Sequence, residues 1–370
     1  MASSFTAMLQ SPYGVITDYS ETTVNMLEAE LIDAFEPQFR DFLNNVGGTL
    51  KAFRREPVRP GPDLLIDAVI RGKPITLVAE AKAQGEPRYI RQAADQLRDF
   101  MGRFPGAYPI VIAPYISGTT AELLRTREVG YFDLAGNALI DAGPLYISLA
   151  GKPNPKPAQK ALKSLFAPKT SRIVRVLLTN PGKTWYVRDL AAEAAISIGL
   201  ASRLKKRLVD LELLSETKAG VSLTKPGELL DLWAKEYSYQ KNRILKYYSP
   251  SSPSDVEARL PEFARSRRVR YGLTMFSGAA RVAPFVRSNF GAFYFSGSTP
   301  ELEQELQLKP TASGANVWVF LPYDEGVYYG EQTIETLSVV SNVQLYLDLI
   351  NYQGRGEEQA TAIREQLLKY

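Results

Sequence analysis

The sequence contains neither cysteine nor histidine among its 370 residues. The first absence excludes disulfide bonds and thiolate chemistry, and the second excludes imidazole catalysis and the common zinc sites. Long apolar runs are also missing, and the first residues lack the charged and then apolar pattern of a secretory signal, so we expect a cytoplasmic protein without membrane contact. Any catalysis must therefore use carboxylates, lysine, hydroxyl groups or a hard cation bound through oxygen.

Basic residues are concentrated in the central part of the chain. Residues 151–250 contain 19 Lys and Arg against 8 Asp and Glu, whereas the stretches before and after contain 14 against 18 and 11 against 14. A local excess of positive charge is typical of proteins that bind polyanions. The chain also exceeds the length that one hydrophobic core supports. We predict an α/β domain over residues 1–150, a basic linker rich in Pro and Lys over 151–169, a DNA-binding domain over 170–248 and a mixed α+β domain over 249–370.

The central segment from Ser171 to Thr224 predicts three short helices followed by two short strands. Apolar residues recur at helical spacing from Ile173 to Leu177, from Val187 to Ala195 and from Leu200 to Leu214. Two β-rich pieces then flank Lys218, which favours a hairpin. A trailing helix is predicted from Gly227 to Tyr239, with further helix up to Tyr247. This order looks like a winged helix-turn-helix, in which the third helix reads DNA.

The polar face of the predicted third helix carries most of the candidate DNA contacts. Small residues at its start leave room for base edges, and the basic residues that follow suit phosphates. The alternatives are a solvated charged face, or a winged helix that binds only protein. The predicted DNA-binding residues are Arg188, Ser197, Ser202, Arg203, Lys205, Lys206, Arg207 and Lys218.

A second candidate site lies in the first domain, on a predicted β-hairpin that turns at residues 71–73. Taking Gly72 and Lys73 as its central residues sets Asp63 opposite Lys82, and Glu80 shares their face because side chains alternate along a strand. Two converging carboxylates can hold magnesium, and a neighbouring lysine can activate water. The alternatives are a salt-bridged lysine at the sheet rim and competition from Asp67, which lies on the same face.

The sequence Pro62-Asp63 followed by Glu80-Ala81-Lys82 resembles the two halves of the motif of the PD-(D/E)XK nuclease superfamily. The resemblance covers about residues 22–150 and implies a restriction-endonuclease-like fold. It also implies Asp63 and Glu80 as Mg²⁺ ligands, Lys82 as the third catalytic residue, and Glu28 or Glu30 of the first helix as an additional acid. A shared fold does not fix activity, so a domain of this kind can also bind or regulate without cutting.

Other stretches resemble the AbiEi-type antitoxins, which are transcriptional regulators of type IV toxin-antitoxin systems. They are Gly130 to Ala138, Leu145 to Ile147, Gly151-Lys152, Val343 to Leu349 and Gly354 to Glu358. The family typically carries its winged helix at the N-terminus, unlike the order expected here. Residues 133–137 also fit an ordinary β-turn, with Gly136 and Asn137 supplying positive φ angles.

These resemblances imply a regulator that binds duplex DNA and needs no cofactor. The alternative is a magnesium-dependent endonuclease that uses Asp63, Glu80 and Lys82, and a third reading is an interaction protein that does not bind nucleic acid. Candidate partners are duplex DNA, a nucleotidyltransferase-like toxin and a second copy of the chain.

Overall fold

The computed structural model describes residues 27–55, 60–142, 145–154 and 165–370. Two predictions therefore fall partly outside the described residues. They are the start of the first helix at Thr22 and most of the basic linker, residues 155–164. Within the described ranges, no helix combines the length and the apolar character needed to cross a membrane.

The first part of the chain forms a seven-stranded mixed sheet whose strands follow one another in sequence order. Strands β3, β4 and β5 are parallel to one another, and the other neighbouring pairs are antiparallel. The predicted helix, hairpin, helix and buried strand are confirmed. The elements are α1 (Glu28–Asn45), β1 (Gly48–Arg55), β2 (Leu64–Ile70), β3 (Lys73–Ala81), α2 (Pro87–Met101), β4 (Tyr108–Ala113), α3 (Gly118–Arg125), β5 (Gly130–Asp133), β6 (Ala138–Ala142) and β7 (Leu145–Leu149).

Each face of this sheet has its own apolar core. On one face, α1 presents Phe35, Phe39 and Phe42 at helical spacing, and all three rings contact Phe132 of β5 at centroid distances of 5.3 to 5.7 Å. The other face packs against α2 and α3. Strand β4 is almost wholly apolar because it is covered on both faces. Pro37 lies inside α1 without splitting it.

The turn of the β2–β3 hairpin lies one residue earlier than predicted, which shifts the pairing of the two strands by two residues. Arg71 and Gly72 are the central pair, with φ angles of 48° and 79°, so Ile70 lies opposite Lys73 and Leu64 opposite Ala79. The predicted pairing of Asp63 with Lys82 is therefore wrong, because Arg71 itself adopts the left-handed conformation. A shift of two residues keeps every side chain on its face, so Asp63, Glu80 and Lys82 still lie on one side of the sheet.

Three helices and a two-stranded hairpin follow, in the predicted order. Ser197 begins the third helix by accepting a hydrogen bond from the Leu200 amide at 3.3 Å. Trp185 and Val221 exchange backbone hydrogen bonds, which attaches the hairpin to the segment before the second helix. The elements are α4 (Pro168–Thr179), α5 (Val187–Glu193), α6 (Ile198–Asp210), β8 (Leu214–Thr217), β9 (Gly220–Leu223) and α7 (Pro226–Glu236).

The last third contains a second seven-stranded mixed sheet, in the order β13 (Lys309–Pro310), β10 (Arg243–Tyr248), β14 (Val317–Leu321), β12 (Gly291–Ser296), β11 (Arg270–Leu273), β16 (Leu337–Val339) and β15 (Gln332–Ile334). A 3₁₀ turn at Tyr239–Lys241 precedes the first strand of this sheet, and another at Glu325–Tyr328 lies between two of its strands. A π-helical turn at Arg364–Leu368 follows the last helix of the chain. The other elements of this part are α8 (Pro253–Arg267), α9 (Met275–Val282), α10 (Thr299–Glu305), α11 (Asn342–Ile350) and α12 (Gly356–Ile363).

Strand β10 corrects one prediction and links two parts of the chain. The sequence predicts further helix up to Tyr247, but Arg243–Tyr248 pairs along its length with β14. A single apolar core runs from Leu165 to Ile363 and includes residues of α4, α6, α7 and the second sheet. The expected mixed α/β architecture with separate sheets is confirmed, whereas the domain limits stay predictions.

Candidate functional site

The exposed face of α6 contains part of the predicted DNA-binding set. Ser202, Arg203 and Lys206 are exposed, while Ala201, Leu204 and Leu208 on the opposite face are buried. Two more predicted contacts lie outside this helix and are also exposed. Arg188 on α5 has a side chain that is 82% exposed, and Lys218 lies at the tip of the β8–β9 hairpin. Exposed cations therefore lie on α5, on α6 and at the tip of the hairpin, and Arg188 among them pairs with Asp189 at 3.5 Å.

Lys205 and Arg207 differ from this exposed set. The Lys205 ammonium group forms an ion pair with Glu216 of β8 at 2.7 Å, and its side chain is only 17% exposed. Arg207 is half-buried, and burial lowers the pKa of its guanidinium group although Glu86 and Asp210 oppose that shift. The polar face predicted from the sequence is thus narrower in the structure, because the N-terminal domain covers the side that carries Arg207.

The same N-terminal domain is joined to the end of α6 by polar contacts that the sequence did not reveal. Arg91 on α2 makes two hydrogen bonds to the Glu212 carboxylate, at 2.6 and 2.7 Å. The Tyr89 hydroxyl donates to Asp210 at 3.3 Å, and Arg88 lies 3.6 Å from the same carboxylate. These polar contacts hold α2 against the carboxyl end of α6, which is the end away from Ser202 and Arg203.

Two further exposed residues in this region are apolar, and no sequence motif indicates them. Tyr186, directly before α5, is 60% exposed, and Ile198, the first residue of α6, is 56% exposed. A helical projection could have found Ile198, since it precedes Ser202 by four residues and so shares its face.

The carboxylate site forms where β2 begins and β3 ends. Asp63 and Glu80 are both buried, and the Ala81 amide donates to Asp63 Oδ2 at 2.9 Å. The Lys82 ammonium group donates to Glu80 Oε2 at 3.1 Å and lies 3.8 Å from Glu28 Oε1. Thus Glu28, rather than Glu30, reaches this site.

Other acidic residues near the site are occupied elsewhere. Glu30 accepts a hydrogen bond from the Leu27 amide at the start of α1. Asp67 accepts from the Thr76 hydroxyl at 2.8 Å and pairs with Arg54 at 3.0 Å. Competition from Asp67 is therefore not supported by its contacts.

The pKa of Glu80 is raised to about 7, first by burial and next by the neighbouring Asp63 carboxylate, while Lys82 opposes both effects. If Glu80 is ionised, its buried oxygen Oε1 has no hydrogen-bond partner among the described residues. A proton shared with Asp63 would satisfy that oxygen, and so would a cation. The unpartnered oxygen of Glu80 is therefore compatible with a shared proton or with a cation.

This donor set fits magnesium in a limited sense. Magnesium is commonly held through one or two carboxylates, with water completing its octahedral shell. Asp63 and Glu80 meet that requirement. Across the described ranges, no three acidic side chains come close enough to form an all-protein metal cage.

The stretch from Gly130 to Ala138 has a structural role. The buried Asp133 carboxylate accepts hydrogen bonds from the Ile116 amide at 3.0 Å, the Asn137 amide at 2.8 Å and the Asn137 side chain at 2.9 Å. Asn137 then accepts from the Lys152 amide at 2.9 Å, and Gly136 has a φ angle of 87°. These contacts favour the β-turn interpretation, but of the two predicted residues Gly136 alone has a positive φ angle, and Asn137 does not. The same contacts fix the start of the segment that leaves the first domain.

The stretch from Val343 to Leu349 supplies a buried polar network. Asp348 accepts hydrogen bonds from the hydroxyl groups of Tyr237 at 2.5 Å and Tyr294 at 3.0 Å, and burial raises its pKa. Gln344 accepts a hydrogen bond from Arg175 of α4, whose guanidinium lies 4.9 Å from the Trp233 ring centroid. The first of the three central helices is thus bonded to the C-terminal sheet domain through its interior.

Comparison with known proteins finds a match over the C-terminal part of the chain. Residues 222–369 match the family model described as "Transcriptional regulator, AbiEi antitoxin, Type IV TA system". The resemblance carried by Val343 to Leu349 and Gly354 to Glu358 is therefore confirmed. The resemblance carried by Gly130 to Lys152 lies outside the matched range and stays a prediction.

Two further comparisons concern whole proteins and solved structures. No curated protein matches the chain. One solved structure, a repair endonuclease from Pyrococcus abyssi, is 21% identical over 31% of this chain and 48% of its own, with a TM-score of 0.20. The chain thus spans about half the length of that endonuclease. The restriction-endonuclease-like fold and the winged helix stay predictions.

Proposed function

We propose that the chain is a DNA-binding transcriptional regulator of the AbiEi antitoxin type. In this proposal α4, α5, α6 and the β8–β9 hairpin act as a winged helix on duplex DNA. The observation that carries the proposal is the exposed basic surface of Arg203, Lys206 and Lys218, which lies beside a C-terminal part similar to antitoxin regulators. Arg and Lys side chains on such a surface bind phosphates and position the helix in the groove.

Charge reversal on α6 tests this proposal. With the full chain and duplex DNA, we expect Arg203→Glu together with Lys206→Glu to weaken binding about 10-fold or more. The salt slope should fall by about 1 for each phosphate that the variant no longer neutralises. Fluorescence anisotropy at several salt concentrations measures both quantities. Lys51→Glu is the matched control, because Lys51 is an exposed lysine on β1 of the first sheet.

Unchanged affinity in the double variant would contradict the assignment of α6 as the DNA-binding helix. If the wild-type chain binds no duplex even at low salt, the interaction-protein reading is favoured instead. Lys205 is left unchanged in this experiment. Its replacement would also break the ion pair with Glu216, so weaker DNA binding could not be separated from a change in packing.

As an antitoxin, the C-terminal domain would counter a nucleotidyltransferase-like toxin. Sequencing the neighbouring gene tests this part of the proposal, and we expect a nucleotidyltransferase reading frame there. Co-expression of the full chain should restore growth of cells that express that toxin. Growth arrest that persists with the chain present would count against this partner.

A second candidate function is a magnesium-dependent endonuclease, which the Asp63, Glu80 and Lys82 site favours. Asp63 and Glu80 would hold the ion, which would supply Lewis-acid activation of a phosphodiester. Lys82 would orient and polarise the attacking water through its ammonium group, and Glu28 would help to hold the lysine in place. The raised pKa of Glu80 suits this role, because a bound dication takes the place of its proton.

Plasmid cleavage and magnesium binding test the nuclease separately from DNA binding. We expect metal-dependent cleavage that Lys82→Ala abolishes and Lys73→Ala keeps, since Lys73 is exposed at the other end of β3. Titration calorimetry at pH 6 should show proton release on magnesium binding, and Glu80→Gln should remove it. A chain that neither binds magnesium nor cleaves DNA leaves this site with a structural role.

A further inference from the structure

Among the described residues, the large apolar side chains that stay exposed are few, and two of them lie on the proposed DNA surface. The exposed set comprises Leu27, Tyr146, Leu149, Tyr186, Ile198, Tyr248 and Phe285. A single exposed apolar residue needs no explanation. Ile198 differs from the others because it is the first residue of the helix whose exposed face carries Arg203 and Lys206.

Ile198 belongs to one stripe of α6. Ser202 and Lys206 follow it at intervals of four residues, so the three side chains lie in a row on the exposed face. The opposite stripe is buried against α4 and α5 and already satisfies the apolar requirement of the helix. Ile198 is therefore not needed to attach α6 to its core.

The next position along the helix, Gly199, also leaves open space. Gly199 carries no side chain, and the nearest atom to a methyl group built there would be Nη1 of Arg203 at 3.9 Å. The exposed face of α6 thus changes from apolar to basic along the helix. It begins with Ile198, continues with Gly199 and the Ser202 hydroxyl group, and ends with Arg203 and Lys206. The polar contacts of α2 described above meet the far, carboxyl end of α6.

Each base pair presents a different pattern in the major groove, and thymine alone adds a methyl group there. Residues at the amino end of a reading helix approach the base edges, whereas residues further along meet phosphates. We infer that Ile198 reads thymine by contact with its C5-methyl group, while Arg203 and Lys206 hold the backbone. This inference rests on the proposed DNA-binding function and gives it a sequence preference.

Selection from a random duplex library, followed by removal of one methyl group, tests the inference. The full-length wild type should enrich sites with thymine at a fixed position. Replacing that thymine by deoxyuridine should weaken binding about fourfold, the factor that corresponds to about 0.8 kcal/mol for one buried methyl group. Ile198→Ser should bind the thymine and the deoxyuridine duplexes equally well.

Phe285→Ser is the matched control, since Phe285 is 57% exposed on the C-terminal sheet domain and should leave the fourfold difference intact. The inference is overturned if wild type ignores the methyl group at every enriched position, or if Ile198→Ser keeps the full discrimination. Tight binding without any sequence enrichment also overturns it but leaves the proposed function standing. Absence of duplex binding by wild type at low salt contradicts the proposed function itself.

Discussion

At the scale of single residues, the buried carboxyl group of Glu80 makes the stability of the first domain depend on pH. Its pKa is about 7 in the folded chain, against 4.5 for the free group, so the folded state holds the proton more tightly. The free energy that proton binding by Glu80 contributes to folding is therefore fully present below pH 4.5 and is lost as the pH rises through about 7. Each unit of pKa shift is worth about 1.4 kcal/mol, which gives a total of about 3 kcal/mol.

Glu80→Gln removes this dependence, because glutamine stays neutral at every pH. We expect the variant to be more stable than wild type by about 2 to 3 kcal/mol at pH 8 and by much less at pH 5. Urea unfolding at the two pH values measures the difference, with excess chelator present to exclude bound metal. Glu36→Gln on the exposed side of α1 is the control and should show no such trend. Equal effects of Glu80→Gln at both pH values would contradict the prediction.

At the scale of elements, the loop between β3 and α2 depends on one glycine. Gly85 approaches the carbonyl oxygen of Tyr115 so closely that a Cβ atom would lie 2.0 Å from it. Backbone cannot move aside as a flexible side chain can, so the loop that carries the chain from Lys82 to α2 has to shift. The close approach thus helps to hold the carboxylate site beside the start of α2.

We expect Gly85→Ala to lower the free energy of unfolding by about 1 to 3 kcal/mol. Gly102→Ala is the matched control at the other end of α2. Gly102 has an ordinary right-handed conformation and open space around it, so alanine there should be neutral or stabilising by up to about 1 kcal/mol. Urea unfolding of both variants is the measurement. Similar free energies of unfolding for Gly85→Ala and Gly102→Ala would contradict the prediction, because they would show that the loop can shift at little cost.

The sequence predicts most elements of the first domain, because alternating or helical apolar patterns are strong there. It places Asp63, Glu80 and Lys82 on one face even with the wrong register, since the error is an even number of residues. The register itself could not be derived, because it depends on Arg71 adopting a positive φ angle that glycine usually takes. Strand β10 was missed because its short apolar pattern becomes a strand only by pairing with β14, far along the chain.

At the scale of the whole molecule, side chains from distant parts of the sequence meet in ways that local patterns do not encode. A helical projection places Arg207 with the other cations of α6. Only the packing of α2 on α6 shows that Arg207 is half-buried. Similarly, Gln344 and Asp348 fit no motif for chemistry in the sequence, yet they form a buried network with Arg175 and two tyrosines.

The two sheets should unfold as different cooperative units. Leu177 of α4 is fully buried in the core that runs to Ile363, so Leu177→Ala should cost about 2 to 5 kcal/mol there. We expect amides of α6 and β12 to lose protection from hydrogen exchange together, while amides of β4 keep theirs.

Leu97→Ala is the matched variant, because Leu97 is fully buried in a core of the first sheet. It should give the reverse pattern of exchange, with loss in β4 and little change in β12. Exchange mass spectrometry on the full chain resolves both patterns. If Leu177→Ala reduces protection in α6 without any loss in β12, the prediction that α6 and β12 belong to one cooperative unit is contradicted.

The core shared by α4, α6, α7 and the C-terminal sheet also limits how the proposed DNA target could change in evolution. Replacing the segment proposed to bind DNA by recombination would separate Arg175 from Trp233 and Gln344 and leave buried polar groups without partners. Point substitutions at Ile198, Ser202 and Arg203 disturb no such packing, since these residues are exposed or only partly covered. Under the proposed function, new operators would therefore be accessible by single amino acid changes on one helix face rather than by domain shuffling.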